Sequence, residues 1–304
     1  VVGTPIGNLE DLSVRALSTL RGAALVACED TRVTRAILAR HDLDVPLLSC
    51  HRFNERVRAR RILEVLGAGG DVALLSDSGT PGVSDPGAAV VEAARGARVR
   101  RAPPAGAGAP AGRAAGFRIA PVPGPTAAAA LFSVSGLQGS FTFVGFLPAR
   151  AGERRRALEG LRSEPRSLVL YESPHRIVRM LRDAAEILGE RVAILGRELT
   201  KVHEEVQHGT LQDLAAAVEQ REPRGEFTLV IAAPAPAARA PGQDAEGDLE
   251  AAVEEVRARV LRGEDRREAL RHAARAHGVR RRALYARLLG KESAHGDAGH
   301  NEEE

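Results

Sequence analysis

The sequence has no tryptophan, one methionine, two cysteines and only two lysines, Lys201 and Lys291. Each shortage excludes something. Cys28 and Cys50 cannot build a disulfide framework or a zinc ribbon. Seven phenylalanines and two tyrosines leave little material for an extended base-stacking platform. No apolar run approaches the ~20 residues of a membrane helix, and no basic-then-apolar leader is present. No lysine follows a Walker-type glycine pattern, which sets aside the P-loop nucleotide hydrolases. A soluble, cytoplasmic protein is expected, with no membrane and no metal. An initiator methionine is also missing, and Val1-Val2-Gly3 reads as the end of a strand whose start is absent.

What remains is globular. The 304 residues are 44% hydrophobic and 27% charged, enough for two domains with their own cores. The net charge is +3 and the isoelectric point about 9.3. Nearly every cation is an arginine, alongside abundant alanine and glycine. A coding bias explains that pattern, so arginine richness alone is weak ground for RNA binding. The same bias makes Lys201 informative, because an ammonium can lose its proton where a guanidinium does not.

Short apolar runs alternate with helical patterns through most of the chain. Strands are expected at 24–28, 47–49, 72–75, 117–122 and 141–146, with helices at 14–20, 31–38, 57–66, 88–95 and 126–134 between them. The alternation resumes with strands at 167–171, 192–195 and 227–232 and helices at 177–188 and 211–219. Such βα repetition predicts an α/β fold of two α/β domains with mostly parallel sheets. The expected boundaries are 1–147 and 148–233, a Pro/Ala-rich linker at 234–248, a helical extension at 249–290 and a disordered tail at 291–304. Residues 97–116 are mostly alanine, glycine and proline and read as a flexible insertion or local duplication.

Two motifs are decoys. Gly106-Ala107-Gly108-Ala109-Pro110-Ala111 matches a dinucleotide fingerprint, but Pro110 would sit in the phosphate-binding helix and no acid follows at the ribose position. His203 and His208 lie five apart, so on a helix they would diverge by ~140° and could not share a zinc ion. Cys28 reads as a small core residue.

Ligands of open α/β sheets sit at the carboxyl ends of strands. Polar and glycine-rich stretches fall there repeatedly: Gly3 to Asn8, Glu29 to Arg32, His51 to Glu55, Asp77 to Gly87 and Pro123 to Thr126. The loop from Ser76 to Gly87 is the most unusual, since its glycines and prolines let backbone approach a ligand closely.

Several segments together resemble the tetrapyrrole methylase superfamily (class III methyltransferases), and within it the bacterial 16S rRNA cytidine 2′-O-methyltransferases. They are Val2 to Asp11, Ala27 to Arg32, Ser76 to Gly87, Pro123 to Thr126, Phe146 to Pro148, Leu170 to Arg176, Arg197 to Lys201 and Gly225 to Leu229, in family order over roughly residues 1–233. The resemblance implies S-adenosylmethionine held in a cleft between the two domains, with 16S rRNA of the small ribosomal subunit as substrate and a homodimer as the assembly. It points to Pro5, Gly7, Asp77, Ser78, Gly79, Thr80, Ser84, Gly124, Pro125, Thr126, Tyr171 and Glu172 for the cofactor. Arg32, Arg176 and Arg197 would grip phosphates, and His51 and Asn54 would orient the nucleotide. A ribose hydroxyl needs a general base or a cation beside the developing alkoxide. Lys201 is the candidate for one of these roles, with Glu55 and Asp30 as alternative bases. Three other readings stay open: a methyltransferase of tetrapyrroles or other small molecules, a non-catalytic RNA-binding or ribosome-assembly protein, and a helix-turn-helix DNA reader in 249–289.

Overall fold

The computed structural model describes residues 1–97, 116–234 and 246–296. The core of the expected insertion with its Gly106–Ala111 motif, most of the linker and the end of the tail lie outside the described residues. The chain divides into two compact units, Val1–Pro234 and the remainder.

The first unit opens with α1 (Val14–Gly22), β1 (Leu25–Cys28), α2 (Thr31–Arg40), β2 (Leu47–Ser49), α3 (Glu55–Gly67), β3 (Val72–Leu74) and α4 (Ala88–Gly96). The strands form a parallel sheet in the order β2-β1-β3. Every residue of β1 is buried. Its alternation feeds two clusters: Val26 and Cys28 pack with Leu20, Ile37 and Leu75, while Leu25 and Ala27 pack with Ile62 and Val90. Burial raises the Cys28 thiol pKa and pushes that of Cys50 up to about 11, so both cysteines are core residues.

The stretch 117–122 was expected as a strand and contributes a single bridge, Val2 to Val122. Its partner is the short segment at the start of the chain, where Val2 donates to the Leu74 carbonyl (2.9 Å) and Gly3 to that of Val122 (3.0 Å). Pairing stops where the chain turns at Thr4 to follow the loops.

Next come α5 (Ala127–Val134), β4 (Phe141–Phe146), α6 (Ala151–Gly160), β5 (Ser167–Glu172), α7 (Ile177–Leu188), β6 (Val192–Arg197), β7 (Glu205–Thr210), α8 (Leu211–Glu219) and β8 (Phe227–Ile231). The second sheet runs β4-β5-β8-β6-β7. Only the β4–β5 pair is parallel; β8 is antiparallel to both β5 and β6, and β6–β7 is a hairpin. The expectation of a mostly parallel sheet therefore holds for the first sheet and not for the second. Placing β8 between β5 and β6 is a long-range choice that local periodicity does not encode. Strand β4, read as the close of the first domain, pairs in the second sheet. Leu168, Leu170 and Leu195 face α7 and α8, whereas Val169, Ile194 and Val230 face α5.

Two elements escaped the sequence pattern. The edge strand β7 (Glu-Val-Gln-His-Gly-Thr) carries no apolar alternation, and it holds His208 in an extended segment. Helix α6 buries only Arg154 and Leu158; Arg154 Nε donates to Asp183 Oδ2 at 2.7 Å.

The second unit holds α9 (Glu246–Leu261), α10 (Arg266–Ala276) and α11 (Arg281–Gly296). They share a core of Val253, Val256, Leu270, Ala273 and Leu284. Helix α9 begins inside the expected linker and α11 runs past Lys291 into the expected tail.

The glycine positions make a test. A Cβ on Gly124 would sit 2.8 Å from the Gly3 backbone, while one on Gly152 of α6 meets nothing within 4 Å. Gly124→Ala is expected to lower unfolding free energy by ~1–3 kcal/mol. Gly152→Ala should leave it level or raise it by up to ~1 kcal/mol. Urea titration of both variants measures the difference.

Candidate active site

The turn from Gly3 to Asn8 lies across the ends of several strands. Thr4 is fully buried. Its N–H donates to the Gly79 carbonyl at 2.7 Å, and its hydroxyl stands 3.0 Å from the same oxygen and 3.2 Å from that of Ser76. Gly3 and Gly124 cross backbone to backbone, so neither position has room for a Cβ. A Cβ on Gly7 would lie 2.5 Å from Lys201 Cγ, and Asn8 N–H donates to Thr200 Oγ1 at 3.1 Å. One turn thus ties the 76–87 loop, the Pro-Gly-Pro turn and the loop after β6 together.

The 76–87 loop takes left-handed backbone at Gly79 (φ 79°), Gly82 (81°) and Gly87 (130°), and also at Ser84 (65°). A non-glycine residue held there implies that its surroundings fix it. Gly145, at the bulge of β4, faces Ser84: an added Cβ would stand 2.4 Å from its hydroxyl oxygen. Glu55 anchors the far end of the loop, accepting from Gly87 N–H at 2.8 Å.

Between this loop, α5 and the ends of β4, β5 and β8 lies a cavity of about 320 Å³. Its walls include Ile6, Phe146, Phe227 and Tyr171 on the apolar side and Thr80, Asp85, Thr126, Glu172 and Glu226 on the polar side. Tyr171 is held by Phe143 and Phe146, with ring centroids 5.1 and 5.7 Å away, and its hydroxyl accepts from Ala128 N–H at 3.1 Å.

Carboxylates crowd the polar side. Burial first, then the charges of Glu29, Asp77 and Glu226, push the Asp85 pKa up to about 6. Glu29 is likewise raised, by burial and then by Asp77. Asp77 Oδ1 accepts from Asp30 N–H at 2.8 Å. Opposite them, Lys201 Nζ bonds both Glu198 Oε1 and Glu226 Oε2 at 2.9 Å. Burial alone would lower the Lys201 pKa, but the two carboxylates outweigh it and raise it. Gly225 must be bare because a Cβ there would lie 2.4 Å from Glu198 Oε1.

The structure gathers some of the expected residues and disperses others. Ser78, Gly79, Thr80, Ser84, Thr126, Tyr171 and Glu172 line the cavity. Gly7, Asp77, Gly124 and Pro125 are not among the lining residues, though the Pro125 carbonyl is 3.7 Å from where a Cβ on Gly79 would be. Pro5 is buried in the same turn. Asp30 caps α2 and grips Arg32, whose guanidinium holds the carboxyl pKa down to about 2. Arg176 is spent on the Leu147 carbonyl (2.6 Å) and on buried Glu172 (3.1 Å). Arg197 bonds the Arg224 carbonyl at 2.8 Å and pairs with Glu205 at 3.3 Å. His51 and Asn54 bond each other at 2.9 Å, beside exposed Phe53, over whose ring Arg52 lies at 5.8 Å.

Sequence reasoning missed Asp85, Glu29 and Glu226 as site residues. Asp85 stands in an Asp-Pro pair that a helix cap explains equally well. Glu29 adjoins the more conspicuous Asp30, and Glu226 lay inside a quoted motif without a role. Among the described residues no group of three metal-ligand side chains occurs, and no helix is long and apolar enough to cross a membrane.

Comparison with known proteins agrees with this geometry. The family described as Tetrapyrrole (Corrin/Porphyrin) Methylases matches residues 1–215. A protein of Pseudomonas aeruginosa named ribosomal RNA small subunit methyltransferase I is 39% identical over 95% of both chains. One of the same name from Xylella fastidiosa is 46% identical, over 76% of this chain and 80% of its own. Among solved structures, diphthine synthase has a TM-score of 0.54 at 18% identity, over 77% of this chain and 88% of its own. Uroporphyrin-III-C-methyltransferase from Thermus thermophilus has 0.51 at 22% identity, over 75% and 91%. These two share the fold. By its matched sequence and its architecture alike, the chain belongs to the tetrapyrrole (corrin/porphyrin) methylase family.

Proposed function

We propose that the protein is an S-adenosylmethionine-dependent methyltransferase acting on the 2′-oxygen of a cytidine ribose in 16S rRNA of the small ribosomal subunit. One observation carries this reading over its rivals. The likeness to a protein named small subunit rRNA methyltransferase extends over 95% of both chains at 39% identity, whereas the likeness to uroporphyrin-III-C-methyltransferase stands at 22%. The homodimer and the cytoplasmic location implied by the resemblance belong to the same reading.

The cavity suits the donor. Its volume of about 320 Å³ lies in the range of small-molecule sites, ~300–1,000 Å³. Ile6, Phe146 and Tyr171 offer an apolar wall to an adenosine, and Asp85 and Glu226 offer negative charge to a cation. When bound, the donor supplies a methyl group on a positively charged sulfur. The residues then have three tasks. Ser78 to Thr80 and Thr126 hold the donor through backbone and hydroxyl groups. The strained 82–84 segment fixes Asp85 beside it. A carboxylate must accept the ribose proton.

Asp85 fits the last task best. Asp30 is too weak a base with a pKa of about 2, Glu55 is spent on Gly87 N–H, and the raised Lys201 stays protonated. Asp85, with a pKa of about 6, is mostly ionised at neutral pH and still basic enough to take a proton. Lys201 is then a positioning residue that holds Glu226 at the cavity wall. Phosphate contacts pass from internally engaged Arg176 and Arg197 to exposed cations such as Arg52.

Tritiated-methyl transfer tests the substrate. Label is expected in ribose of small-subunit RNA; label on porphyrinogens and none on RNA would refute the assignment. The pH dependence follows from the raised Asp85 pKa. Ionisation proceeds as pH rises through about 6, so the single-turnover rate should climb between pH 5 and 7 and then level. Asp85→Asn should lower that rate ~10²–10⁴-fold and flatten the profile. The sign for stability is opposite: a raised carboxyl pKa stabilises the fold below the unfolded value, and this is lost as pH climbs through about 6. For Lys201, arginine keeps the charge on Glu198 and Glu226 and should keep the rate within about threefold. Lys201→Met should lose at least about tenfold, equivalent to ~1.4 kcal/mol. Single-turnover assays with both variants distinguish positioning from proton transfer.

A further inference from the structure

The second unit segregates its charge. Between residues 265 and 288 there are eight arginines against Asp265 and Glu268, a net +6. Further acids follow in the sequence at Glu292, Asp297 and Glu302 to Glu304, and several of the acids on or just after α9 are engaged there. Glu255 pairs with Arg259 and His277, Glu264 with Arg259 and His272, and Glu250 with Arg287.

Helices α10 and α11 pack through small and apolar side chains, Ala269 and Ala273 on one and Leu284 and Leu288 on the other. Their exposed sides meet in a groove of about 770 Å³. Arg266, Arg267, Arg281 and Arg282 line it, with Asp265 and the half-exposed ring of Tyr285. Asp265 is turned to the backbone, accepting from Arg267 N–H at 2.9 Å and from Glu268 N–H at 3.3 Å. Arg267, Arg281 and Arg282 have no ion-pair partner among the described residues. Asp265 is the one carboxylate among the lining residues, so the guanidinium groups of Arg267, Arg281 and Arg282 repel one another, and such a cluster lowers its energy by taking up anions. Only two tyrosines occur in the whole sequence, and this one presents its ring at the same groove.

We propose that the α10–α11 groove is an RNA-binding surface, its arginines gripping backbone phosphates and Tyr285 stacking on an exposed base. Charge complementarity selects a polyanion over an apolar partner. RNA is favoured over duplex DNA because an unpaired base can reach the ring, and because the first unit is read as an rRNA methyltransferase, a reading on which this choice rests. The groove would supply substrate affinity, while the cavity of the first unit supplies the chemistry.

The test uses the full chain. Filter binding to a 16S rRNA fragment is measured from 50 to 300 mM salt for wild type and for Arg281→Glu/Arg282→Glu, with S-adenosylmethionine affinity measured by calorimetry. The double variant should bind RNA at least about tenfold more weakly. The slope of log affinity against log salt should fall by about 1.5, as expected for two lost phosphate contacts. Donor affinity should not change. Tyr285→Ala should weaken binding at least about fivefold and leave the salt slope intact. If the charge reversal lowers the melting temperature, glutamine at both positions repeats the measurement. Wild-type affinity and slope in the variants would overturn the proposal, as would equal binding of duplex DNA of the same length. RNA binding that depends on these arginines, together with failure of wild type to methylate any RNA, would refute the functional reading while upholding the groove.

Discussion

The cavity depends on one backbone crossing. The Gly3–Asn8 turn runs so close to Gly124 that neither Gly3 nor Gly124 admits a Cβ, and Thr4 enters the interior to bond the carbonyls of Ser76 and Gly79. A buried hydroxyl must find partners, and these two carbonyls lie at the start of the loop that makes one wall. The same turn then reaches Thr200 and Lys201 beyond β6. Loops belonging to both sheets are therefore held relative to one another by a few residues with little room for alternatives. The strained backbone at Ser84 is tolerable because Gly145 leaves space for its hydroxyl.

Electrostatics on the cavity follow from a deliberate imbalance. Burial first, then the charges of Glu29, Asp77 and Glu226, raise the proton affinity of Asp85, and burial with the charge of Asp77 raises that of Glu29. Lys201 pairs with Glu226 and Glu198. A carboxylate poised near neutrality is what acid–base chemistry requires, and a surplus of negative charge suits a cationic donor. The arginines expected for phosphate are used elsewhere: Arg176 and Arg197 hold loop carbonyls and nearby acids. Other arginines stand at position 52 and along the α10–α11 groove. The proposed donor cavity is thus rich in carboxylates and the proposed RNA-binding groove in arginines.

Much of this was legible from local pattern. The buried strands β1 and β5 are short apolar runs closed by polar residues, and the helices with clear apolar faces, such as α7, appear at the expected places. Edge strand β7 and helix α6 were not legible, because one has no apolar alternation and the other is stabilised by a buried arginine–aspartate pair. Ser78 to Thr80, Thr126, Tyr171 and Glu172, which stand in the quoted motifs, line the cavity. Asp85 stands in an Asp-Pro pair and Glu29 adjoins the more conspicuous Asp30, so neither stands out in the sequence. A carboxylate's pKa depends on neighbours distant in sequence, and no spacing rule reveals them.

By itself, the sequence determined the alternation of strands and helices, the loops bearing polar chemistry and the separation of an arginine-rich helical end. Periodicity and turn chemistry act over a few residues, so one dimension suffices to show them. Only the tertiary structure decided that β8 lies between β5 and β6 and that Arg176 is internal. It also decided which of several carboxylates faces the cavity with a proton affinity near neutrality. Those outcomes depend on burial and on through-space charge between segments far apart in the chain, quantities that exist only once the chain has packed.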